Sequence, residues 1–175
     1  DISIIKETNE HSIAALLEES LEHERNAVSL YKELLSEVVD KTISFYDSLS
    51  TGELTIAKDC FVYADHDQIV RVLNNLISNA IECVHTGETP LITIILEKRK
   101  EHALLSITDN GSGIPEKQQS QIFEPNFTTK SSGTGLGLAM VKRIIDDLNG
   151  GLYFTTELGI GTTFYVSIPL LKQKV

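Results

Sequence analysis

The sequence predicts an α/β (α+β) two-layer sandwich, a mixed sheet with helices on one face, preceded by an N-terminal helix. Three observations predict it. Apolar residues recur at helical spacing in long segments free of Gly and Pro. Short β-branched runs fall between these segments, and the later ones come in hairpin-like pairs. The 175 residues, 41% hydrophobic and 23% charged, suit one globular domain with at most an appendage. A chain of this size buries roughly 70% of its unfolded surface, so it needs neither disulfide nor metal to fold.

Residues 3–26 carry no Gly or Pro and place Ile13, Leu16, Leu17 and Leu21 at helical spacing between acids, the pattern of an exposed amphipathic helix. After Val28 to Tyr31, a second helical pattern runs through Leu34, Leu35, Val38, Val39 and Ile43 and should end at the Ser48 to Gly52 turn. Leu54 to Ala57 and Phe61 to Ala64 suit strands. Asp65 or Asp67 can cap the clearest helix, which aligns Ile69, Val72, Leu73, Leu76, Ile77, Ala80, Ile81 and Val84 on one face. Strands are expected at Leu91 to Leu96 and Ala103 to Asp109, with a charged turn from Glu97 to His102. Asn110 to Thr134 shows only a short helix at Glu116 to Phe123, and a connection so long is usually functional. A helix from Gly135 to Leu148 and strands at Gly151 to Thr156 and Thr162 to Ile168 complete the chain.

The formal charge is −10, with 11 acidic and 4 basic residues in the first 50 positions alone. Such a chain repels nucleic acid and anionic lipid, whose affinity comes mainly from Lys and Arg. Any phosphate it binds must be held locally, mainly by backbone groups. No apolar stretch approaches the ~20 residues of a bilayer span, and no signal peptide is visible. Cys60 and Cys83 do not make a disulfide framework and read as small core residues of a reducing compartment. The start at Asp1 suggests a segment of something longer.

Four constellations carry possible chemistry. On the helix VLNNLISNAIE, Asn75 and Asn79 lie about 40° apart around the axis. With Arg71 and Glu82 they form a stripe beside the apolar face. Their amide oxygens could ligate a hard cation such as Mg2+, which also keeps waters and substrate phosphates. Taken alone, the pair reads equally as a solvated face. At a strand end, DNGSGIP supplies Asp109, able to accept from the exocyclic amine of adenine, and Gly111 and Gly113, which let a flat ligand approach. In isolation this is an Asn-Gly turn.

KSSGTGLGLAM spaces Gly133, Gly135 and Gly137 immediately before a helix, whose free N–H groups and dipole make a phosphate site. Lys130, Ser131, Ser132 and Thr134 add a cation and hydroxyl donors; the alternative is a flexible glycine hinge. The spacing matches neither a P-loop nor a dinucleotide fingerprint. In ELGIGTTFYVSIPL, Gly159 and Gly161 can turn tightly into the last strand, presenting Thr162 or Thr163 inward.

The order of these elements resembles the N, G1, F, G2 and G3 boxes of sensor histidine kinase ATPase domains, members of the GHKL superfamily with the Bergerat ATP-binding fold. The likeness covers about residues 31 to 170, and IFEPNFTTKSSGTGLGLAMVK is similar to kinases of the nitrogen-regulation type. The resemblance implies that Asn75 and Asn79 bind Mg2+ and the phosphates. Asp109 would read the adenine amine beside Gly111 and Gly113. Phe123 and Phe127 would anchor a lid whose phosphate side is Lys130, Ser131, Ser132 and Gly133. Thr134, Gly135, Leu136, Gly137 and Leu138 would cradle the phosphates, and Thr162 or Thr163 would bond near Asp109. Asn75 stands where ATPases of the superfamily carry a catalytic Glu, which favours phosphoryl transfer over hydrolysis. Glu82 departs from the pattern, since many relatives carry Lys there.

The phosphoacceptor His is expected to be absent. His23 is followed by too few residues to complete a two-helix domain before Leu34. Residues 1–30 are accordingly expected to be the remnant of the second dimerisation and phosphotransfer helix with its linker, and residues 31–175 the ATP-binding catalytic domain. The implied function is transfer of the ATP γ-phosphate to a His of the absent domain, for relay to an Asp of a response regulator. The full-length protein would be a homodimer, and the fragment alone inactive. A cytoplasmic position is expected for the domain, its parent being either free or anchored in the inner membrane. The alternatives are another GHKL-fold protein, a protein-serine kinase or ATPase, and a nucleotide-free scaffold. An ATPase needs a carboxylate ahead of the helix Asn, and Glu82 comes after it. His11, His66, His85 and His102 lack metal-ligand spacing.

Overall fold

A β-strand exposes alternate residues on opposite faces, so a sheet with apolar residues at every second position needs one covering layer, here made of helices. The computed structural model describes residues 34–46, 53–58, 60–85, 87–130 and 133–171. Its order is α1 (Leu34–Tyr46), β1 (Leu54–Ile56), α2 (His66–Glu82), β2 (Thr93–Arg99), β3 (His102–Thr108), α3 (Glu116–Gln119), α4 (Gly137–Asp147), β4 (Gly151–Glu157) and β5 (Gly161–Pro169). The expected helix over residues 3–26 and the division at residue 30 lie outside the described residues.

The strands form a mixed sheet, as the sequence predicts; it has five strands in the order β1-β2-β3-β5-β4. β1 runs parallel to β2 and all other neighbours are antiparallel. Ala103, Leu105 and Ile107 on β3 and Phe164, Val166 and Ile168 on β5 face the helices, meeting Leu73, Leu76, Ile77, Val141 and Ile145 in one core. Each Leu, Ile, Val or Phe side chain among these contributes about 1.5 to 3 kcal/mol on burial. The same alternation sends Asp109 and Thr162, at strand ends, toward the helical layer, where both are buried.

α2 starts where Asp65, in extended conformation, accepts a hydrogen bond from Gln68 N at 3.1 Å. Such a cap contributes about 1 kcal/mol. α2 is the central helix, packed against α1 on one flank and α4 on the other. That arrangement sets its polar stripe beside the start of α4.

Most element ends fall within two or three residues of expectation, the last helix starting at Gly137 rather than Gly135, and three segments differ in more than that. Phe61 to Ala64 is not a strand: it makes a single antiparallel bridge, Val62 to Leu170, and a bond from Leu171 N to Phe61 O. Cys60, Val62 and Ala64 are nonetheless buried, so their alternation fills the core without a ladder partner. The turn expected from Glu97 to His102 narrows to Lys100 and Glu101, with Lys100 at φ 55°, because β2 and β3 continue pairing to Arg99 and His102. The helix expected from Glu116 to Phe123 stops at Gln119 and passes into turns.

Candidate nucleotide-binding site

Asn75 and Asn79 sit half-buried on α2 at the margin of its apolar face. Asn75 Nδ2 donates to the Arg71 carbonyl at 2.8 Å, which fixes the amide and leaves Oδ1 aimed at the first residue of α4, Gly137. No side-chain hydrogen bond caps α4 at Leu136, and the helix begins, with the positive end of its dipole, beside the Asn75 amide oxygen. Two sequence motifs more than 50 positions apart thereby share one surface.

Lys130 completes this end. Its Nζ donates to Asn79 Oδ1 at 3.0 Å and to Glu82 Oε2 at 2.6 Å. Lys130 N donates to Thr128 Oγ1, and Asn126 N donates to the Gly135 carbonyl, joining the two sides of the glycine-rich loop. Gly133 is half-buried, Thr134 and Leu136 are exposed, and Leu138 and Phe127 pack against the core. Ser131 and Ser132 lie outside the described residues.

Asp109 occupies the other end and is only 6% exposed. Its Oδ1 accepts from Gly111 N at 2.8 Å and from Thr162 N at 3.1 Å. The carboxylate is held by backbone donors of two separate segments, which orient it, and no salt bridge reaches it among the described residues. Ser112 O accepts from Gly159 N and Ser112 N donates to the Cys83 carbonyl, so the loop carrying Gly111 and Gly113 is tied to both the β4–β5 turn and the end of α2.

Of the two threonines, the structure brings only Thr162 to Asp109. Thr162 is 5% exposed, and its Oγ1 lies 3.0 Å from Thr156 Oγ1, which also accepts from Ile114 N. Thr163 points to the opposite face and shares a hydrogen bond with Thr108 at 3.0 Å. A hollow of 260 Å³ lined by Thr108, Asp109, Thr155, Thr162 and Thr163 takes in neither Asn75 nor Asn79, so it is not where phosphates would be held.

Two participants, Thr156 and Cys83, are not marked by the motifs, and a third, Glu82, gains a contact that the motifs do not show. Thr156 was discoverable from strand alternation opposite Thr162. Glu82 lies on the Asn stripe, but its pairing with Lys130 spans 48 positions. Cys83, read as an ordinary core residue, stands beside Asp109. Burial first, then the Asp109 charge and its hydrogen bond, push that thiol up from its ordinary 9.0 to about 12. Neither cysteine is in a disulfide. Among the described residues no group of three His, Cys, Asp or Glu could hold a metal ion.

Residues 64–172 match the family model described as histidine kinase-, DNA gyrase B-, and HSP90-like ATPase. The chain belongs to this ATPase family. Sporulation kinase C of Bacillus subtilis is 32% identical over 151 residues, covering 82% of this chain and 35% of that protein. Sensor histidine kinase ZraS of Escherichia coli is 38% identical over 109 residues, covering 62% of this chain and 23% of that protein. The chain thus spans about a quarter to a third of the length of these two relatives. Among solved structures, a nucleotide-free catalytic domain of histidine kinase ThkA aligns with TM-score 0.69 and 33% identity, over 78% of this chain and 93% of that one. The mycobacterial sensor histidine kinase MprB gives the same TM-score at 27% identity. The fold is that of histidine kinase catalytic domains, and membership of the ATPase family brings ATP use with it.

Proposed function

We propose that this chain is the ATP-binding catalytic domain of a sensor histidine kinase, presenting the γ-phosphate to a His on a dimerisation domain for relay to a response-regulator Asp. The observation that carries this reading is the meeting of the α2 amides, Lys130 and the uncapped start of α4 at one end, with the backbone-held Asp109 carboxylate at the other. Such a site suits a ligand that is polyanionic at one end and offers an amine at the other. The relatives' names support the kinase branch, and the family resemblance, which sets Asn75 where the ATPases carry a water-activating carboxylate, points the same way.

Asp109 would accept the adenine amine, whereas the carbonyl of guanine would face its lone pairs. Gly135 to Leu138 would hold phosphate oxygens on helix-end N–H groups. Asn75 and Asn79 would hold Mg2+, and an ammonium already sits on the Asn79 amide oxygen as a stand-in cation. This donor set fits a hard ion that takes oxygen ligands and retains waters and phosphates. When bound, the ion neutralises phosphate charge. The chain's residues then orient the γ-phosphate for attack by the His nitrogen, a reaction governed by positioning and electrostatics. The full-length protein would be a homodimer, its catalytic domain cytoplasmic. No helix among the described residues is long and apolar enough to cross a membrane.

The test is calorimetric titration of the chain with Mg2+ and a non-hydrolysable ATP analogue, beside the GTP counterpart and Asp109→Asn. Asn retains an oxygen for Gly111 and Thr162 but turns the second acceptor into a donor. Binding of the adenine compound alone, lost at least about hundredfold in the variant, is expected from removal of a charged hydrogen bond that leaves a mismatched pair. No binding at millimolar concentration would sink the reading.

A further inference from the structure

We propose that Glu82 is a positioning residue: it holds Lys130 on Asn79 in the nucleotide-free chain and thereby sets the threshold for nucleotide binding. The inference rests on the nucleotide reading of the site. Glu82 follows Asn79 by three residues, so the two side chains share a face of α2. Their oxygens converge on one ammonium, Asn79 Oδ1 at 3.0 Å and Glu82 Oε2 at 2.6 Å. Two of the three N–H donors of Lys130 are thereby committed. The Lys130 and Glu82 side chains are 37% and 55% exposed, so the pair is solvated and readily exchanged.

Lys130 thus occupies the amide oxygen that a divalent ion needs, and Glu82 occupies the amine that a phosphate needs. Each ligand must displace part of this arrangement. Whatever free energy the contact lends the unliganded form is subtracted from binding. In a protein of net charge −10, Glu82 also gives Lys130 a resident counter-ion while the site holds no phosphate. The carboxylate acts through Lys130 and touches no reacting atom.

Glu82→Gln keeps the shape and drops the charge. It is expected to tighten binding of the Mg2+ complex of a non-hydrolysable ATP analogue about threefold to fivefold, the scale of an exposed ion pair. Removing a negative charge could do the same by relieving repulsion of the phosphates. The decisive comparison is therefore Glu82→Gln made in a Lys130→Met background, by calorimetry. Disappearance of the gain there supports the inference. An equal gain shows that Glu82 acts on phosphate directly and overturns it, as does weaker binding by Glu82→Gln alone, which would make Glu82 a ligand.

A second readout needs no nucleotide. The side-chain amide resonance of Asn79 is expected to shift in both Glu82→Gln and Lys130→Met relative to the parent chain. An Asn79 signal unmoved by Glu82→Gln overturns the inference even where Lys130→Met binds too weakly to titrate. Absence of nucleotide binding by the parent chain sinks the nucleotide reading and this inference together, whereas binding without coupling removes this inference alone.

Discussion

Oδ1 of Asn75 packs so closely on Gly137 that a β-carbon there would stand 2.6 Å from it. This contact seats the amide at the mouth of α4, and it separates stability from binding. Ala is the better helix former by up to about 1 kcal/mol, and the obstructed atom is the end of a flexible side chain. Gly137→Ala is expected to leave the melting temperature unchanged or slightly raised, while nucleotide affinity falls at least about tenfold as Asn75 is pushed aside, a cost of about 1.4 kcal/mol. Unaltered affinity in a calorimetric titration would show that Asn75 is not used.

Two glycines of one turn should respond differently to the same substitution. Gly161 has φ 146°, and a β-carbon on it would lie 2.0 Å from the Asp109 carbonyl oxygen, a backbone atom that cannot step away. Gly161→Ala is expected to cost more than about 3 kcal/mol, combining strain with overpacking. Gly159 has φ 75° and nothing within 4 Å of that position. Its replacement by Ala carries only the left-handed backbone penalty, about 1 to 2 kcal/mol. Urea denaturation of the two variants measures the difference, and equal losses would refute the account.

These particulars show what was legible in the sequence. α2 was readable because its cap and apolar spacing are local, and the hairpins because alternation fixes which face each residue takes. The sequence offers Thr162 and Thr163 equally, and strand parity decides between them once Asp109 is known to face the helices. Phe61 to Ala64 misled because alternation reports burial, not pairing. The contact of Lys130 with Glu82 and the meeting of Asn75 with Gly137 depend on how α2 and α4 pack, information that no window of sequence contains. Ser131, Ser132 and the helix expected over residues 3–26 lie outside the described residues.

Cys83 provides a pH-dependent check on the Asp109 environment. Its folded-state value of about 12 lies above the ordinary 9.0. The stabilisation linked to it is therefore complete below pH 9.0 and is lost as pH rises toward 12, where the unfolded thiol has ionised and the folded one has not. Asp109→Asn removes the charge that assists burial in raising the value. Alkylation of Cys83 by iodoacetamide at pH 9, followed by peptide mass spectrometry, is expected to be slow in the parent chain and faster in the variant. Equal rates would mean that Asp109 does not act on the thiol.

Phe123 is expected to secure the segment that delivers Lys130. Its ring meets Phe154 at 5.9 Å and Phe164 at 6.5 Å between centroids, both edge to face. The turns after it run through Glu124 N to Gln121 O and Phe127 N to Glu124 O, so they gain their footing from that ring. Phe123 is half-buried, and Phe123→Ala should cost about 2 to 3 kcal/mol, below the roughly 3 to 5 of a fully enclosed ring. Hydrogen exchange at residues 121–130 should rise more than in the strands, because local opening of this segment becomes easier than global unfolding. Phe123→Leu, which keeps an apolar plug, should recover most of the protection. If exchange rises evenly over the whole sheet, the ring supports the core in general and the segment has no separate anchor.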